Sequence, residues 1–239
     1  MIKYRHLFFD LDNTIWDFNL NSWYALRETF IQYRLDLSFF ERFYEIYVFH
    51  NERLWELYRQ NGITKEELSR SRFELSFAET GISGVNATDF NRDYLERMPL
   101  QTRLCDGARH VLAKLSEKYD MHIITNGFAE VQYKKLGNSD LSGFFKKVFV
   151  SEEIKSPKPS PEIFRHAMKS CNARKKESLM IGDSWEVDIV GAMQTGMDQV
   201  FYDPSGENER EGNTDFVMKR DSGTVTFIIR RLDELLIIL

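Results

Sequence analysis

The chain has 239 residues, of which 42% are hydrophobic and 29% are charged, the composition of a globular protein with a sizeable core. Its formal net charge of −5 argues against the broad basic surface that a nucleic acid polymer requires, but not against a small anion held locally. No apolar stretch approaches the roughly 18 residues of a membrane span. The two cysteines are not spaced as a disulfide framework or a zinc site, so we expect reduced cysteines and a cytoplasmic location.

The first chemistry-bearing motif lies close to the start of the chain. Residues 7–9 are continuously apolar, which is typical of a strand buried on both faces, and the sequence Asp-Leu-Asp-Asn-Thr follows directly at residues 10–14. Because unpaired carboxylates are costly inside a protein, Asp10 and Asp12 are expected to hold a cation or take part in chemistry. Taken alone, the motif is equally compatible with a chance strand exit.

Residues 17–98 show a helical pattern rich in aromatic and charged side chains. Thr64, followed by two glutamates, is a typical helix start. The aromatic side chains fit the core of a helix bundle better than a surface that stacks on a ligand. Trp55 and Tyr58 are expected in that core, and Arg72 on the surface or in an interhelical pair. Helices are predicted over residues 22–33, 39–60, 65–79 and 89–97.

Beyond Pro99 helices alternate with strands, the rhythm of a parallel sheet with crossover helices. Asp106 and Ser160 are predicted to cap helices, and a terminal helix is predicted from about Val225. The fold class is therefore α/β: a Rossmann-like parallel sheet formed by residues 1–16 and 100–239, with a helical domain, residues 17–99, inserted after the first strand. The later strands are predicted over residues 121–124, 145–150, 179–181, 199–202 and 216–218.

Polar residues follow the predicted strands of this domain where each strand ends. The carboxyl ends of parallel strands open onto the same edge of a sheet, so we expect these residues to converge on one crevice. Carboxylate oxygens suit Mg²⁺, while a hydroxyl, an amide and a lysine suit the oxygens of a phosphate. The residues concerned are Asp10, Asp12, Thr125, Asn126, Lys158, Asp183 and Asp188.

Four segments resemble the four motifs of the haloacid dehalogenase (HAD) superfamily of phosphatases, in the same order and spacing. The resemblance covers essentially the whole chain, and the helical domain matches the superfamily's α-helical C1 cap. It implies that Asp10 is a nucleophile that forms an aspartyl phosphate, and that Asp12 is the general acid and base. The segments are residues 10–14 (DLDNT), 124–127 (ITNG), 158–159 (KP) and 182–188 (GDSWEVD).

The resemblance also implies a set of metal ligands. Mg²⁺ would be held by the carboxylates of Asp10 and Asp183 and by the backbone carbonyl of Asp12. Asp188 is expected to brace Lys158 or a metal-bound water rather than to bind the metal directly.

The phosphoryl oxygens would be bound by Thr125, the Asn126 backbone and Lys158. Lys155 competes with Lys158 for this role. Lys158 is preferred because a proline and a helix follow it, as they do in the family.

Further residues resemble the YjjG-type pyrimidine 5′-nucleotidases, among them Asn51, Trp55, Arg72 and the segment Ser-Glu-Glu at residues 151–153. This resemblance implies a small phosphorylated metabolite as the substrate, a pyrimidine nucleoside monophosphate in the first place. Trp16 or Phe18, directly after the nucleophile loop, could stack on a base or simply close the crevice.

Other readings of the same residues stay open. A sugar-phosphate phosphatase and a phosphomutase would use the same residues, and a binding protein on a HAD fold is the non-enzymatic alternative. A dehalogenase fits less well, since haloacid displacement has no use for the acid and base that Asp12 supplies. The sequence leaves the oligomeric state open.

Overall fold

The computed structural model describes residues 4–206, 217–221 and 223–239. Contacts divide the chain into two compact units: Met1–Phe18 with Arg103–Leu239, and Asn19–Thr102. We call the first the sheet unit and the second the helical unit. Within the described residues, every helix is too short or too polar to cross a membrane.

Seven strands of the described residues form one sheet, in the order β3-β2-β1-β4-β5-β7-β6. Neighbouring strands pair in parallel, except that β6 joins β7 antiparallel at one edge. The predicted α/β fold with a parallel sheet is therefore confirmed. The strands are β1 His6–Phe9, β2 Asp120–Thr125, β3 Lys147–Val150, β4 Ser178–Gly182, β5 Asp198–Tyr202, β6 Val217–Asp221 and β7 Thr224–Ile229.

The helices fall into two groups. Those that follow β1 make up the helical unit: α1 Phe18–Gln32, α2 Phe40–Arg59, α3 Lys65–Thr80 and α4 Ala87–Arg97. The others connect or follow the later strands: α5 Ala108–Ser116, α6 Ala129–Asn138, α7 Ser151–Ile154, α8 Pro161–Ser170, a π-helix Trp185–Val190, α9 Gly191–Met193 and α10 Leu235–Ile238.

The sheet is buried on both faces, as its continuously apolar strands predict. On one face, Phe8 of β1 and Met180 of β4 pack in one cluster with Phe164 of α8. On the opposite face the alternate strand residues are also buried, among them Leu7, Phe9, Ile123 and Ile181. The hydrogen-bonded ladders pair β1 with β2 on one side and with β4 on the other, in parallel. Phe9 therefore lies opposite Ile123 and Ile181, and the residues that follow these strands meet at one edge.

Three local predictions in the sheet unit need correction. The terminal helix predicted from about Val225 is wrong: Thr224–Ile229 is strand β7, which is rich in β-branched residues and pairs with β5. Asp106 does not cap α5, because Gly107, with φ of 75°, occupies the N-cap position. Ser160 does stand at the N-cap of α8, but its side chain makes no capping hydrogen bond. Phe216, predicted to begin a strand, lies outside the described residues.

The helical unit has an aromatic core. Its rings are buried and pack in tilted, stacked or edge-to-face pairs, as in Phe30 with Phe43, Tyr47 with Phe73, and Phe77 with Phe90 respectively. The predicted start of α3 is confirmed as a capping box, in which Thr64 Oγ1 accepts from Glu67 N at 3.1 Å and Glu67 accepts from Thr64 N at 2.8 Å. This bundle core accounts for the aromatic abundance of residues 17–98.

Two predictions in the helical unit are corrected. Trp55 and Tyr58 pack against each other but stay half exposed, outside the buried core. Arg72 is buried rather than on the surface and links three helices, because its guanidinium donates to Asn51 Oδ1 of α2 and Asn91 Oδ1 of α4. The interhelical alternative is therefore the one that the structure shows, with amide acceptors.

A pair of histidines lies buried near the amino ends of β1 and β2. His6 Nδ1 lies 3.4 Å from His122 Nε2, and the His122 ring stacks on Phe8 with centroids 5.0 Å apart. The pKa of His122 is lowered to about 4, mainly by burial and to a lesser extent by the neighbouring His6. Burial likewise lowers the pKa of His6. A histidine whose pKa is lowered in the folded state favours folding above its ordinary pKa, and this contribution is lost as the pH falls toward the folded value.

We predict that His122→Phe weakens the acid sensitivity of the fold. Between pH 6.5 and about 4, the wild type should lose about 2 kcal/mol of stability that the variant keeps, because protons bind the unfolded His122 more tightly. Urea unfolding as a function of pH measures this, with exposed His110→Gln as the control. Parallel pH profiles for wild type and His122→Phe would contradict the prediction.

Candidate active site

The sheet holds the carboxyl ends of β1 and β4 next to each other. Asp10 N donates to Ile181 O at 2.8 Å, so the ladder between β1 and β4 continues one residue beyond the strand. The chain then turns sharply, and Leu11 O accepts from the backbone N–H groups of Ile15 and Trp16. Asn13 has φ of 59°, a left-handed conformation that asparagine tolerates better than most residues. The strand end and this turn direct Asp10 and Asp12 to the carboxyl edge.

Three carboxylates meet at this edge. Asp10, Asp183 and Asp188 each offer an oxygen atom within 4.8 Å of the others. Asp10 and Asp188 are buried, and Asp183 accepts a hydrogen bond of 3.0 Å from the buried hydroxyl of Thr14. The first and last of the four motifs are thus tied to each other by side chains.

Lys158 lies among these carboxylates. Its Nζ is 2.5 Å from Asp10 Oδ1, 2.7 Å from Asp188 Oδ1 and 2.8 Å from Ile124 O. Burial opposes the charge of Lys158, but the two carboxylates outweigh burial and raise its pKa. Lys155, the alternative lysine, is exposed at the end of α7, so of these two only Lys158 belongs to the cluster.

The cluster has an excess of negative charge. Burial, and then repulsion by Asp188, raise the pKa of Asp183 to about 7. Burial also raises the pKa of Asp10 well above its usual value, against the attraction of Lys158. When all are ionised, three carboxylates and one ammonium leave two negative charges uncompensated. A divalent cation with a preference for hard oxygen ligands, such as Mg²⁺, fits this donor set and this charge.

The second motif supplies two groups. The Asn126 side chain clamps the backbone of Lys158, since its Nδ2 donates to Lys158 O at 2.9 Å and its Oδ1 accepts from Lys158 N at 2.8 Å. The buried Thr125 hydroxyl accepts from Gln132 Nε2 at 2.6 Å and from Gly127 N at 3.3 Å. Among the residues that the structure describes, this hydroxyl donates no hydrogen bond, so its proton is available to a ligand.

Asp12 does not join the three-carboxylate cluster through its side chain. Its Oδ1 accepts from Lys135 Nζ at 2.6 Å, and its Oδ2 accepts from Gln132 Nε2 at 2.8 Å. Sequence reasoning missed both partners and the helix α6 that carries them. The available signal was the spacing of Gln132 and Lys135, which share the buried face of α6 with Val131 and Leu136.

The buried Lys135 is covered by aromatic rings. Its Nζ lies 4.2 Å from the centroid of the Trp16 ring and 5.4 Å from that of Phe18. Burial lowers the pKa of Lys135, against the attraction of Asp12. Trp16 is fully buried in this arrangement, so stacking on a ligand base would require it to move, whereas Phe18 is partly exposed.

The comparisons with known proteins identify the class. A model of the haloacid dehalogenase-like hydrolase family matches residues 7–202, which span most of the chain. The chain therefore belongs to the haloacid dehalogenase-like hydrolase family.

Particular relatives are also similar. YfnB, a HAD-hydrolase of Bacillus subtilis, is 32% identical over 236 residues, covering 98% of this chain and 95% of YfnB. A crystal structure of YfnB bound to magnesium has a TM-score of 0.85 at 30% identity and covers 99% of both chains.

Two relatives have named substrates. PynA, a pyrimidine 5′-nucleotidase of Streptococcus pneumoniae, is 30% identical over 203 residues, covering 84% of each chain. A glyceraldehyde 3-phosphate phosphatase of Pyrococcus abyssi is 31% identical over 204 residues, covering 82% of this chain and 80% of the relative.

We predict that Gly182→Ala destabilises the protein by about 1–3 kcal/mol, because its methyl group would lie 2.3 Å from Asp188 Oδ2 and would displace this buried carboxylate. Gly137→Ala in α6 is the matched control: its methyl group meets nothing within 4 Å, so it should be neutral or stabilising. Thermal unfolding of both variants measures the difference. Equal stability of the two variants would show that Gly182 is not required by the close approach of Asp188.

Proposed function

We propose that this protein is a Mg²⁺-dependent phosphatase that hydrolyses phosphate monoesters through an aspartyl phosphate on Asp10. The observation that carries the proposal is the buried arrangement of Asp10, Asp183, Asp188 and Lys158 at the carboxyl edge of the sheet. A nucleophilic carboxylate needs a neighbouring cation, because the phosphate that it attacks is itself negative. We further propose that the helical unit is the cap of the HAD fold.

Mg²⁺ would be held by the carboxylates of Asp10 and Asp183 together with the backbone carbonyl of Asp12. When bound, the metal offsets the repulsion between nucleophile and phosphate and polarises the phosphoryl oxygens. The excess negative charge of the cluster supports this proposal, as does the magnesium bound to the relative YfnB. Asp188 would act through Lys158, since its Oδ1 lies 2.7 Å from the ammonium.

The protein's own groups would then carry the reaction. Asp10 attacks phosphorus while the bond to the leaving oxygen breaks, and Asp12 gives that oxygen a proton. Asp12 next takes a proton from the water that attacks the aspartyl phosphate, which releases inorganic phosphate and restores Asp10. Thr125 donates its free hydroxyl proton to a phosphoryl oxygen, beside the Asn126 backbone.

Lys158 would bind a further phosphoryl oxygen. An ammonium has three donors; in this structure two are directed at Asp10 and Ile124 O, and Asp188 Oδ1 lies 2.7 Å from the same nitrogen as an ion-pair partner. A phosphoryl oxygen beside Asp10 would take over one of these donors. The Asn126 clamp on the Lys158 backbone keeps the ammonium in place for this exchange.

Our proposal for the substrate class is based on the named relatives, not on the geometry of the sheet unit. We propose nucleoside 5′-monophosphates, with pyrimidine nucleotides first, supported by PynA and by the residues shared with YjjG-type enzymes. The Pyrococcus phosphatase favours a second candidate, a small sugar phosphate, at the same site. A cytoplasmic location and the lack of a nucleic acid partner stay predictions from the sequence.

We predict that the protein binds one Mg²⁺ per chain and that Asp183→Asn abolishes this binding, because the variant removes one of the charged carboxylates from the donor set. Isothermal titration calorimetry in the absence of substrate measures it. Asp140→Asn, an exposed aspartate outside the cluster, is the control and should bind as the wild type does. Unchanged binding by Asp183→Asn would overturn the proposed metal site.

We predict Mg²⁺-dependent phosphate release that is strongest with pyrimidine nucleoside 5′-monophosphates and falls at least about 10⁴-fold in Asp10→Asn, which lacks the nucleophile. The measurement is a panel of pyrimidine nucleotides, purine nucleotides and sugar phosphates, including glyceraldehyde 3-phosphate. Preference for a sugar phosphate would keep the mechanism and replace the substrate class. An Asp10→Asn variant that keeps the activity of the wild type would contradict the mechanism.

A further inference from the structure

We propose that Lys135 is a positioning residue for the reaction, and that with Gln132 it fixes the Asp12 carboxylate for proton transfer. This inference rests on the proposed function, in which Asp12 is the general acid and base. Lys135 and Gln132 lie outside the four motifs by which the family resemblance is recognised.

Lys135 and Gln132 hold the two oxygens of the Asp12 carboxylate. Asp12 Oδ1 receives the ammonium of Lys135 at 2.6 Å, and Asp12 Oδ2 receives the amide of Gln132 at 2.8 Å. A carboxylate held by one donor can still rotate about its side-chain torsions, whereas two donors on different oxygens define its plane. Each carboxylate oxygen has two acceptor sites, so these contacts leave one on each oxygen for a substrate.

A purely structural role gives no reason for a lysine at position 135. Its side chain is 1% exposed, and a buried ammonium is costly unless it is paired. Among the described residues, Asp12 is its one carboxylate partner within 4 Å. An apolar side chain of similar length would pack beneath Trp16 and Phe18 without that cost. The positive charge of Lys135 is therefore explained by its pairing with Asp12, whose side chain is about a quarter exposed.

The same contacts join Asp12 to the proposed phosphate site. Gln132 donates its second amide proton to Thr125 Oγ1 at 2.6 Å, so one side chain contacts both the proton donor and a phosphate-binding hydroxyl. Trp16, which covers Lys135, belongs to the same turn as Asp12. Helix α6 thus fixes the position of Asp12, the proposed proton donor, relative to Thr125, the proposed phosphate-binding residue.

The chemistry makes this role measurable. When the leaving group is an alcohol, as in a nucleoside 5′-monophosphate, the breaking P–O bond leaves a strongly basic oxygen that needs the proton from Asp12. When it is nitrophenolate, the oxygen leaves without a proton. A residue that acts through Asp12 should therefore slow the release of the leaving group, the first step, much more for the alcohol than for nitrophenolate, whereas general damage to the site should slow both alike. The second step, in which Asp12 takes a proton from water, is the same for both substrates, so the comparison is made on the first step alone.

The test compares Lys135→Met with Lys134→Met, its exposed neighbour on α6, using uridine 5′-monophosphate and p-nitrophenyl phosphate with Mg²⁺. In rapid-quench single turnovers, we expect Lys135→Met to lower the rate of leaving-group release about 100-fold from the nucleotide and less than about fivefold from the aryl phosphate, with the half-saturating substrate concentration changed less than about threefold. Lys134→Met should match the wild type on both. Equal losses on the two substrates, or no loss, would overturn the proposal.

Two more variants complete the design. Gln132→Met removes the other donor and should show the same selective loss, about tenfold on the nucleotide, which tests the proposal if Lys135→Met does not fold. Asp12→Asn tests the acid role of Asp12 itself in the same single-turnover measurement. If it slows leaving-group release from both substrates equally, the acid role is wrong and the proposed function fails there. If it slows release from the nucleotide alone while Lys135→Met and Gln132→Met slow neither, the positioning role alone is wrong.

Discussion

The site depends on one buried interaction, the contact of Lys158 with Asp10 and Asp188 at the carboxyl edge of the sheet. A buried carboxylate without a cation would be protonated and would have little nucleophilic character. The contact requires the ends of β1 and β4 to be adjacent, which the central position of these strands provides. The strand order reverses between them, and open α/β sheets bind ligands at such a point.

The charge balance of this edge follows from the same contact. Lys158 compensates one of three carboxylates, so the edge keeps the negative charge that the proposed divalent cation would offset. The neighbouring Asp12 pairs with a different lysine, Lys135, although Asp10 and Asp12 still repel each other. One pair serves the carboxylate that would attack phosphorus, and the other serves the carboxylate that would move protons. Two adjacent aspartates thereby acquire different environments and different proposed roles.

The strand ends could be predicted from the sequence because local pattern and topology agree there. The apolar residues before Asp10 and Asp183 mark buried strands, and parallel pairing brings their ends together. Lys135 and Gln132 could not be predicted in the same way, since their role depends on the rotation of α6 relative to Asp12. Strand β7 was mistaken for a helix because its residues join an apolar terminal run, and pairing with β5 decides its conformation. Arg72 was expected at the surface or in an interhelical pair; the second alternative is the one found, and the amides that contact it come from two other helices.

The chemistry and the choice of substrate have different structural origins. The relatives share the family of this chain but are named for a pyrimidine nucleotide in one case and a triose phosphate in the other. The central claim, that Asp10 accepts the phosphoryl group, is independent of that choice. The most direct test is to quench the enzyme with acid during turnover and to measure the masses of its proteolytic peptides by mass spectrometry. We predict the added mass of one phosphoryl group on the peptide that contains Asp10; active enzyme that never carries this mass there would contradict the claim.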